Sequence, residues 1–427
     1  MFLPTYRILR QYNKQINSFR KKSVSSSNGS ESPLDGIRII DLTRIIAGPF
    51  CTMVLSDLGA EVIKVEQPNH GDPCRKWGPF INNTHESCYF ISINRNKKSM
   101  CVDLKHPEGK NILLELARKS DVLIENYVPG KLDELHLGYK DFKKVAPHLI
   151  YCSVTGFGPK GPYRDRPGYD VIASSMGGLI HSTGALDGEP VKVGVAITDI
   201  TTGLYAHGAI MAALFKRTRT GRGQKIDCNL LSTQLATLIN LGSNYLNVGK
   251  ESKRWGTAHE SIVPYESFPT KDGYFTVGAG SDAQFTDFCK RINHPELSQN
   301  SKYSTNELRV RNRQELEPLL RSIMKMKSNE EWNKIFLGAS FPYGPVNTLK
   351  AAFEDEHIKA INLVKTLDHP VAGKIKVVGP PVTYNEGGNY VKSPPPVLGQ
   401  HTNEILTDLL NLGEDHIEDL RKRNIVQ

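Results

Sequence analysis

The sequence predicts an α/β protein whose main domain is a doubly wound parallel sheet, followed by a smaller α+β domain. Three observations predict it. Four β-branched runs, "IRIIDLT" (37–43), "EVIKVE" (61–66), "DVLIENY" (121–127) and "LIYCSVT" (149–155), are short and largely apolar, as strands buried on both faces are. Segments with helical apolar spacing lie between them, and that alternation favours parallel strands with helices on both faces. From about residue 255 the alternation gives way to a hairpin followed by helices. At 427 residues the chain is long enough for two domains.

Taken in order, the first strand leads into "RIIAGPFCTMVLSDLGA", a helix stopped by Gly59. "EVIKVE" follows, and "SMCVDLK" (99–105) reads as a further strand. Pro107 opens the helix "PEGKNILLELARKS", where its missing N–H costs nothing. After "LIYCSVT" comes the loop "GFGPKGPYRDRPGYD", then the small-residue helix "VIASSMGGLI". "TDITTGLYAHGAIMAALFKR" is a strong helix ending in basic residues that suit its negative end. "GRGQKIDCNL" reads as turn and strand, and a further helix spans 230–247. "PYESFPTKDGYFTVG" is a hairpin turning on Lys271-Asp272-Gly273. Helices follow near 282–292, 313–327 and 329–337, then two strands in "LVKTLDHPVAGKIKVVGPPV" and a helical tail from Thr402.

Charge narrows the function classes. The net charge is +9, but residues 1–31 hold six basic residues against the single acid Glu31. More than half the excess therefore sits in a short tail, and the remainder gives no nucleic-acid surface. That tail is Arg/Lys-rich, Ser-rich at its end and has spaced apolar residues, the composition of a mitochondrial transit peptide. The location expected is therefore the mitochondrial matrix. No apolar run approaches the roughly 20 residues that span a bilayer, so no membrane partner is expected. Seven cysteines without a C-x-x-C fit reduced structural thiols and no zinc site.

Gly156, Gly158 and Gly161 form a literal G-x-G-x-x-G directly after a strand. A dinucleotide fingerprint works because backbone N–H groups at a helix N-terminus face the pyrophosphate. Here Pro159 offers no N–H, and Pro162 and Pro167 prevent a helix from opening. The acid expected about 20 residues on is Met176. The context argues against a nicotinamide or flavin enzyme. A P-loop, a G-x-S-x-G elbow and an H-E-x-x-H are also missing.

Several segments together resemble the class III CoA-transferase family, which includes formyl-CoA transferase, carnitine CoA-transferase and α-methylacyl-CoA racemase. They are "LDGIRIIDLTRIIAGPFCTMVLSDLGAEVIKVEQPNHGDPCR", "NRNKKSMCVDLKHPEGK", "DVLIENYVPGKLDELHLGY", "RPGYDVIASSMGGL", "GEPVKVGVAITDITTGLYAHGAIMAAL", "TGRGQKID" and "PYESFPTKDGYFTVG". They cover about residues 34–427 in the family's order. The resemblance implies a Rossmann-like large domain, a smaller α+β domain and an interlocked homodimer. On this basis residues 1–31 form the leader and 34–228 the CoA-binding domain, completed by 396–427. Residues 229–254 are a linker, 255–355 the small domain and 356–395 a returning linker with strands.

The resemblance also assigns the site. The family nucleophile is an aspartate, which falls on Asp199. From the residues alone Asp199 reads as a helix N-cap, and a carboxylate there stays ionised through N–H donors and the helix dipole. Contacts to coenzyme A fall on Ile46 and Ala47, on Val102, Asp103, Leu104 and Lys105, on Asn126, Tyr127 and Val128, and on Pro167, Gly168, Tyr169 and Asp170. Lys97 and Lys131 are expected to meet its phosphates, as cations normally do. Some members carry Arg at the positions of Gln67 and Glu134, so the adenine end is expected to rest on Lys131 or Arg75 instead.

The implied reaction is ping-pong CoA transfer through covalent aspartyl intermediates, with acyl-CoA as substrate, no metal and no tightly bound cofactor. Tyr169 stands where the racemase has its acid/base histidine, and tyrosine titrates too high for an easy base. The glycine run that covers the formyl-CoA transferase site is absent from "RWGTAHESIVPYESF". These departures, with the leader, point to CoA transfer from succinyl-CoA to glutarate or a similar dicarboxylic acid. Arg164, Arg166, Arg254 and His259 are candidates for the remote carboxylate. A racemase of the same fold and a non-catalytic CoA-binding protein are the alternatives.

Overall fold

The computed structural model describes residues 32–427; the expected leader lies outside them. The chain opens with strand β1 (Arg38–Asp41), helix α1 (Ala47–Asp57) and strand β2 (Glu61–Glu66). Gly59, at φ +103°, takes the left-handed turn out of α1. Strand β3 spans Lys97–Cys101, earlier than the run expected at 99–105. Its ladder with β2 closes at the pair Glu66↔Cys101. His106 then caps helix α2 (Pro107–Arg118), so 102–105 must turn. Strands β4 (Val122–Glu125) and β5 (Ile150–Thr155) follow, then helix α3 (Asp170–Met176), the 24-residue helix α4 (Ile197–Thr220) and edge strand β6 (Lys225–Asn229). Arg217 and Arg219 occupy the last turn of α4, and Gly221 at φ +65° ends it.

The six strands pair in the order β3-β2-β1-β4-β5-β6, every neighbour parallel. This is the strand order of a Rossmann sheet. Each strand feeds two cores because side chains alternate faces. Ile39, Val62 and Ile124 pack with Leu55 of α1 and Ile210 of α4. Ile40, Ile63 and Leu123 pack with Leu116 of α2 on the other face. The small residues that made α4 legible have a reason. A Cβ on Gly203 would stand 2.7 Å from the Ala47 carbonyl oxygen, so α4 crosses α1 at backbone contact.

The chain divides into two compact units. The second takes residues 174–195 and 235–362. It contains the antiparallel sheet β7 (Tyr265–Pro269), β8 (Tyr274–Gly278) and β9 (Tyr343–Pro345). Helices α5 (Asp282–Arg291), α6 (Arg313–Met324) and α7 (Asn329–Phe336) pack Phe288, Leu320 and Trp332 into one core with Phe268 and Phe275 of that sheet. Residues 363–427 return to the first unit with the hairpin β10 (Val364–His369) and β11 (Gly373–Val378) and the terminal helix α8 (Glu414–Lys422). The units thus differ from the expected boundaries: 174–195 group with 235–362, and 363–395 with the unit that holds the large sheet. The tail is not one helix, since Asn411 adopts φ +56° before α8. Among the described residues, no helix is long and apolar enough to cross a membrane.

Candidate active site

The strand order reverses between β1 and β4. The loops leaving those strands part there and leave a crevice at the carboxyl edge of the sheet. A cleft of about 180 Å³ occupies that edge. Arg44, Ile45, Ile46 and Ala47 after β1, Asn126 to Pro129 after β4, and Thr155 and Gly156 of β5 and its exit line it, with Arg164, Arg166 to Tyr169, Leu230 and Asp199. Asn126 ties the two loops at the switch point. Its Oδ1 accepts from the Arg44 N–H at 3.0 Å, and its Nδ2 donates to the Arg44 carbonyl at 2.8 Å.

Asp199 is brought to the cleft by the crossing of α1 and α4. It lies one turn before Gly203, on the same face of α4, and Gly203 abuts the Ala47 carbonyl. It is 7% exposed. It is not the N-cap expected from its sequence setting. Ala196 holds that position and has no side-chain acceptor, so Asp199 is the third helical residue. The cap comes from another segment: Asp170 Oδ1 accepts from the N–H groups of Thr198 at 2.8 Å and Asp199 at 3.2 Å. The expectation that helix donors keep Asp199 readily ionised is therefore corrected. Burial, and then the charge of Asp170, push its carboxyl up to about 7.

The opening glycines of the loop "GFGPKG" have a packing role. A Cβ on Gly156 would stand 2.7 Å from the Gly168 Cα, and one on Gly168 2.5 Å from the Gly156 Cα. The loop returns upon itself back to back at these two residues. That contact delivers Pro167, Gly168 and Tyr169 to the cleft and Asp170 to α4. Arg166 is held over the rings of Phe157 and Tyr163, at 5.5 and 4.7 Å.

Of the residues assigned by resemblance, Ile46, Ala47, Asn126, Tyr127, Val128, Pro167, Gly168, Tyr169 and Asp199 meet around this one cleft. Asp170 sits just behind them, buried. Val102 to Lys105 do not line it. They lie past β3, where the Asp103 N–H donates to the Ile425 carbonyl. Lys131 is exposed and paired with Glu134 at 2.6 Å.

Two expected phosphate ligands are corrected. Lys97 is wholly buried, its Nζ bound to Asp41 at 3.0 Å, to the Pro49 carbonyl at 2.8 Å and to Asn94 at 2.9 Å. Its charge is needed inside, because Asp41 lies buried under the sheet edge and an unpaired charge there is costly. Arg75 is spent on Glu66, with bonds of 2.8 and 2.7 Å, and stacks over Phe90. Arg254 and His259 belong to the second unit, where Arg254 donates to the His181 carbonyl.

Sequence reasoning missed Arg44. The one signal in the letters was a cation directly after the run expected as the first strand; that the sheet reverses there is seen only in the fold. It also missed a second cavity of about 300 Å³, lined by Glu125, Asp133, Tyr151, Ser153, Lys225 and Asp227 and by the Val128-Pro129 loop. Burial pushes Glu125 up to about 7 there.

The family model for CoA-transferase family III matches residues 34–402. The chain is 54% identical to the succinyl-CoA:glutarate CoA-transferase of Mus musculus, over 93% of this chain and 91% of that one. It is 39% identical to the succinate–glutarate CoA-transferase of Agrobacterium fabrum, over 88% and 96%. The crystal structure of a CAIB/BAIF family protein from Brucella suis superposes with a TM-score of 0.80 at 38% identity, covering 89% of this chain and all of that one.

Proposed function

The chain belongs to CoA-transferase family III, and from that membership we propose that it moves CoA from succinyl-CoA to glutarate through acyl adducts of Asp199. The observation that carries the reading is a buried carboxylate at the switch-point cleft, set beside the start of α1. That helix begins without a side-chain cap, and its first residue, Ala47, lines the cleft. The first N–H groups of a helix have no partner within it. Those of Ala47 and Gly48 are the donors proposed for the oxyanion that forms at the attacked carbonyl.

Asp199 attacks the thioester carbonyl, the C–S bond breaks, and CoA thiolate leaves a succinyl-aspartyl anhydride. The thiolate attacks the aspartyl carbonyl and expels succinate. Glutarate attacks the resulting aspartyl-CoA thioester, releasing thiolate. Thiolate then attacks the glutaryl carbonyl, which returns Asp199 and yields glutaryl-CoA. A carboxylate is a weak nucleophile, so the site must hold it against the thioester and away from water. Burial of Asp199 does the second. Lys131 remains a proposed phosphate contact, and Lys105, assigned to CoA by the resemblance and exposed, is proposed beside it.

The names of the mouse and Agrobacterium relatives support the substrate pair. Tyr169, in the cleft where a racemase would need its histidine, speaks against proton abstraction. We further propose an interlocked homodimer, for which the exposed apolar side chains Leu204, Tyr205 and Phe215 on α4 provide a surface. The composition of residues 1–31 supports import into mitochondria, testable by fusing them to a fluorescent protein. The transfer itself is tested by incubation with succinyl-CoA and glutarate. Glutaryl-CoA should form, and hydroxylamine should trap an adduct that Asp199→Ala cannot make. Full activity in Asp199→Ala would end the assignment.

A further inference from the structure

We propose that Arg44 binds the distal carboxylate of the dicarboxylic acid while its other end reacts at Asp199. The inference rests on the CoA-transfer reading and names the residue that selects its substrate.

Arg44 and Asp199 line the same cleft of about 180 Å³. That volume holds only a fragment of an acyl-CoA, and Asp199 requires it to be the reacting end. The pantetheine arm keeps the phosphates away from that end. A cation sharing the cleft with Asp199 therefore faces the acyl group. A dicarboxylic acid brings a second charge to this place, and a buried carboxylate without a partner is costly. Asp170, behind Asp199, makes a bare carboxylate less welcome still.

The backbone around Arg44 is built to hold it. Ile45 adopts φ +73°, which is sterically unfavourable for a β-branched residue. Its N–H is fixed on Asp72, at 3.1 and 3.2 Å to the two oxygens. Asp72 is itself buried in an ion pair with Lys64 at 2.9 Å. On the other side Asn126 grips both backbone groups of Arg44. The guanidinium stands over the Tyr127 ring at 5.0 Å, and among the described residues no carboxylate pairs with it. Of the other arginines of the cleft, Arg164 is paired with Asp165 at 3.1 Å, whereas Arg166, like Arg44, stands over aromatic rings and is therefore the control in the test. Strained backbone persists where the surroundings over-determine it and often serves a site.

The test compares glutarate with pentanoate, which has the same chain length and one charge, as acceptors from succinyl-CoA. In Arg44→Gln the preference in kcat/KM for glutarate should fall at least about tenfold, as loss of a charge-paired partner implies. Arg44→Lys should keep part of it, and Arg166→Gln most of it. Melting temperature checks that each variant folds. An unchanged preference in folded Arg44→Gln overturns the proposal. So does an equal rise in KM for succinyl-CoA and butyryl-CoA, which would place a CoA phosphate on Arg44, or a loss confined to Arg166→Gln. Titration of glutarate and pentanoate against the full chain, read by thermal shift, is independent of turnover. Glutarate binding that Arg44→Gln abolishes, in a wild-type chain that makes no glutaryl-CoA, supports Arg44 and overturns the transfer reading alone.

Discussion

Asp170 binds Asp199 through the backbone and opposes it through the side chain. Its Oδ1 accepts the Asp199 N–H at 3.2 Å while its charge adds to burial in raising the Asp199 carboxyl to about 7. Acylation of Asp199 removes one of two neighbouring negative charges. The arrangement therefore disfavours the free carboxylate relative to the adduct, and makes it a more basic nucleophile.

The first prediction follows from that titration. Attack requires ionised Asp199, so kcat/KM should rise with pH through about 7 and level off above. Glu125 also titrates near 7, in the adjoining cavity, and Arg44, Arg164, Arg166 and Tyr89 are further ionisable groups on this side of the sheet. Asp170→Asn separates these contributions. An asparagine oxygen still accepts from Thr198 and Asp199, so the cap survives while the charge goes. The acid limb should move to lower pH if Asp199 controls it, and a pH profile of kcat/KM reads the shift. An unmoved limb would assign it to another group.

Stability should respond with the opposite sign. The folded state holds the Asp199 proton more tightly than the unfolded chain, whose aspartates titrate near 4. Folding is therefore not penalised at low pH. The penalty grows as pH rises from about 4 and is complete above about 7, on the order of a few kcal/mol. Asp199→Asn should raise the melting temperature at pH 8 more than at pH 5. Equal shifts at both would contradict the raised titration.

Gly203 tests the helix crossing. Its added Cβ would meet the Ala47 oxygen at 2.7 Å and the Cys51 nitrogen at 3.3 Å, and backbone cannot swing aside. Gly203→Val should cost about 1–3 kcal/mol or more, measurable by urea denaturation. Because Asp199 is one turn away, activity should fall further than the loss of folded protein accounts for.

Much of this was legible in the sequence. The strands at 61–66 and 150–155 stood out because parallel strands buried on both faces read as apolar runs. Helix α4 showed because its small residues and basic end matched its packing and dipole. What was not legible depended on contacts far apart in sequence. Nothing near Lys97 announces Asp41, 56 residues earlier, so a buried ion pair read as a surface cation. Nothing near Asp199 announces that Asp170 takes the helix donors. The strain at Ile45 is invisible in letters, since an isoleucine argues against a positive φ, and with it went Arg44.

The buried pair makes its own prediction. Lys97→Ala takes the direct ion-pair partner from buried Asp41 and leaves it the hydroxyls of Thr43 and Thr52 and the charge of Lys64, and breaking a buried pair costs about 3 kcal/mol. Melting temperature should drop sharply, while KM for succinyl-CoA in the folded fraction should stay near the wild-type value. Lys131→Ala should do the reverse. Its exposed pair with Glu134 is worth about 1 kcal/mol at most, so stability should hold while KM for succinyl-CoA rises, most visibly at low salt. A large KM change in Lys97→Ala with normal stability would restore Lys97 as a ligand.

The last prediction concerns the glycines that resemble a nucleotide fingerprint. If they cradled a pyrophosphate, Gly158 and Gly161 would matter as much as Gly156. The structure makes them unequal. Gly161 has φ +89° but open space around it, whereas Gly156 and Gly168 touch Cα to Cα. Gly156→Ala and Gly168→Ala must therefore push the loop from the strand and carry Tyr169 and Asp170 with it. Each should lower kcat/KM by more than tenfold, because a displaced Asp170 uncaps α4 and releases Asp199 from its position, and an ångström of misplacement can cost about a hundredfold. Gly161→Ala pays only for its backbone angle, about 1–2 kcal/mol, and should leave kcat/KM of the folded enzyme nearly unchanged. Purified variants compared by melting temperature and transfer rate decide it. Equal catalytic losses at 156, 161 and 168 would mean that the loop as a whole, and not the Gly156–Gly168 contact, positions the site.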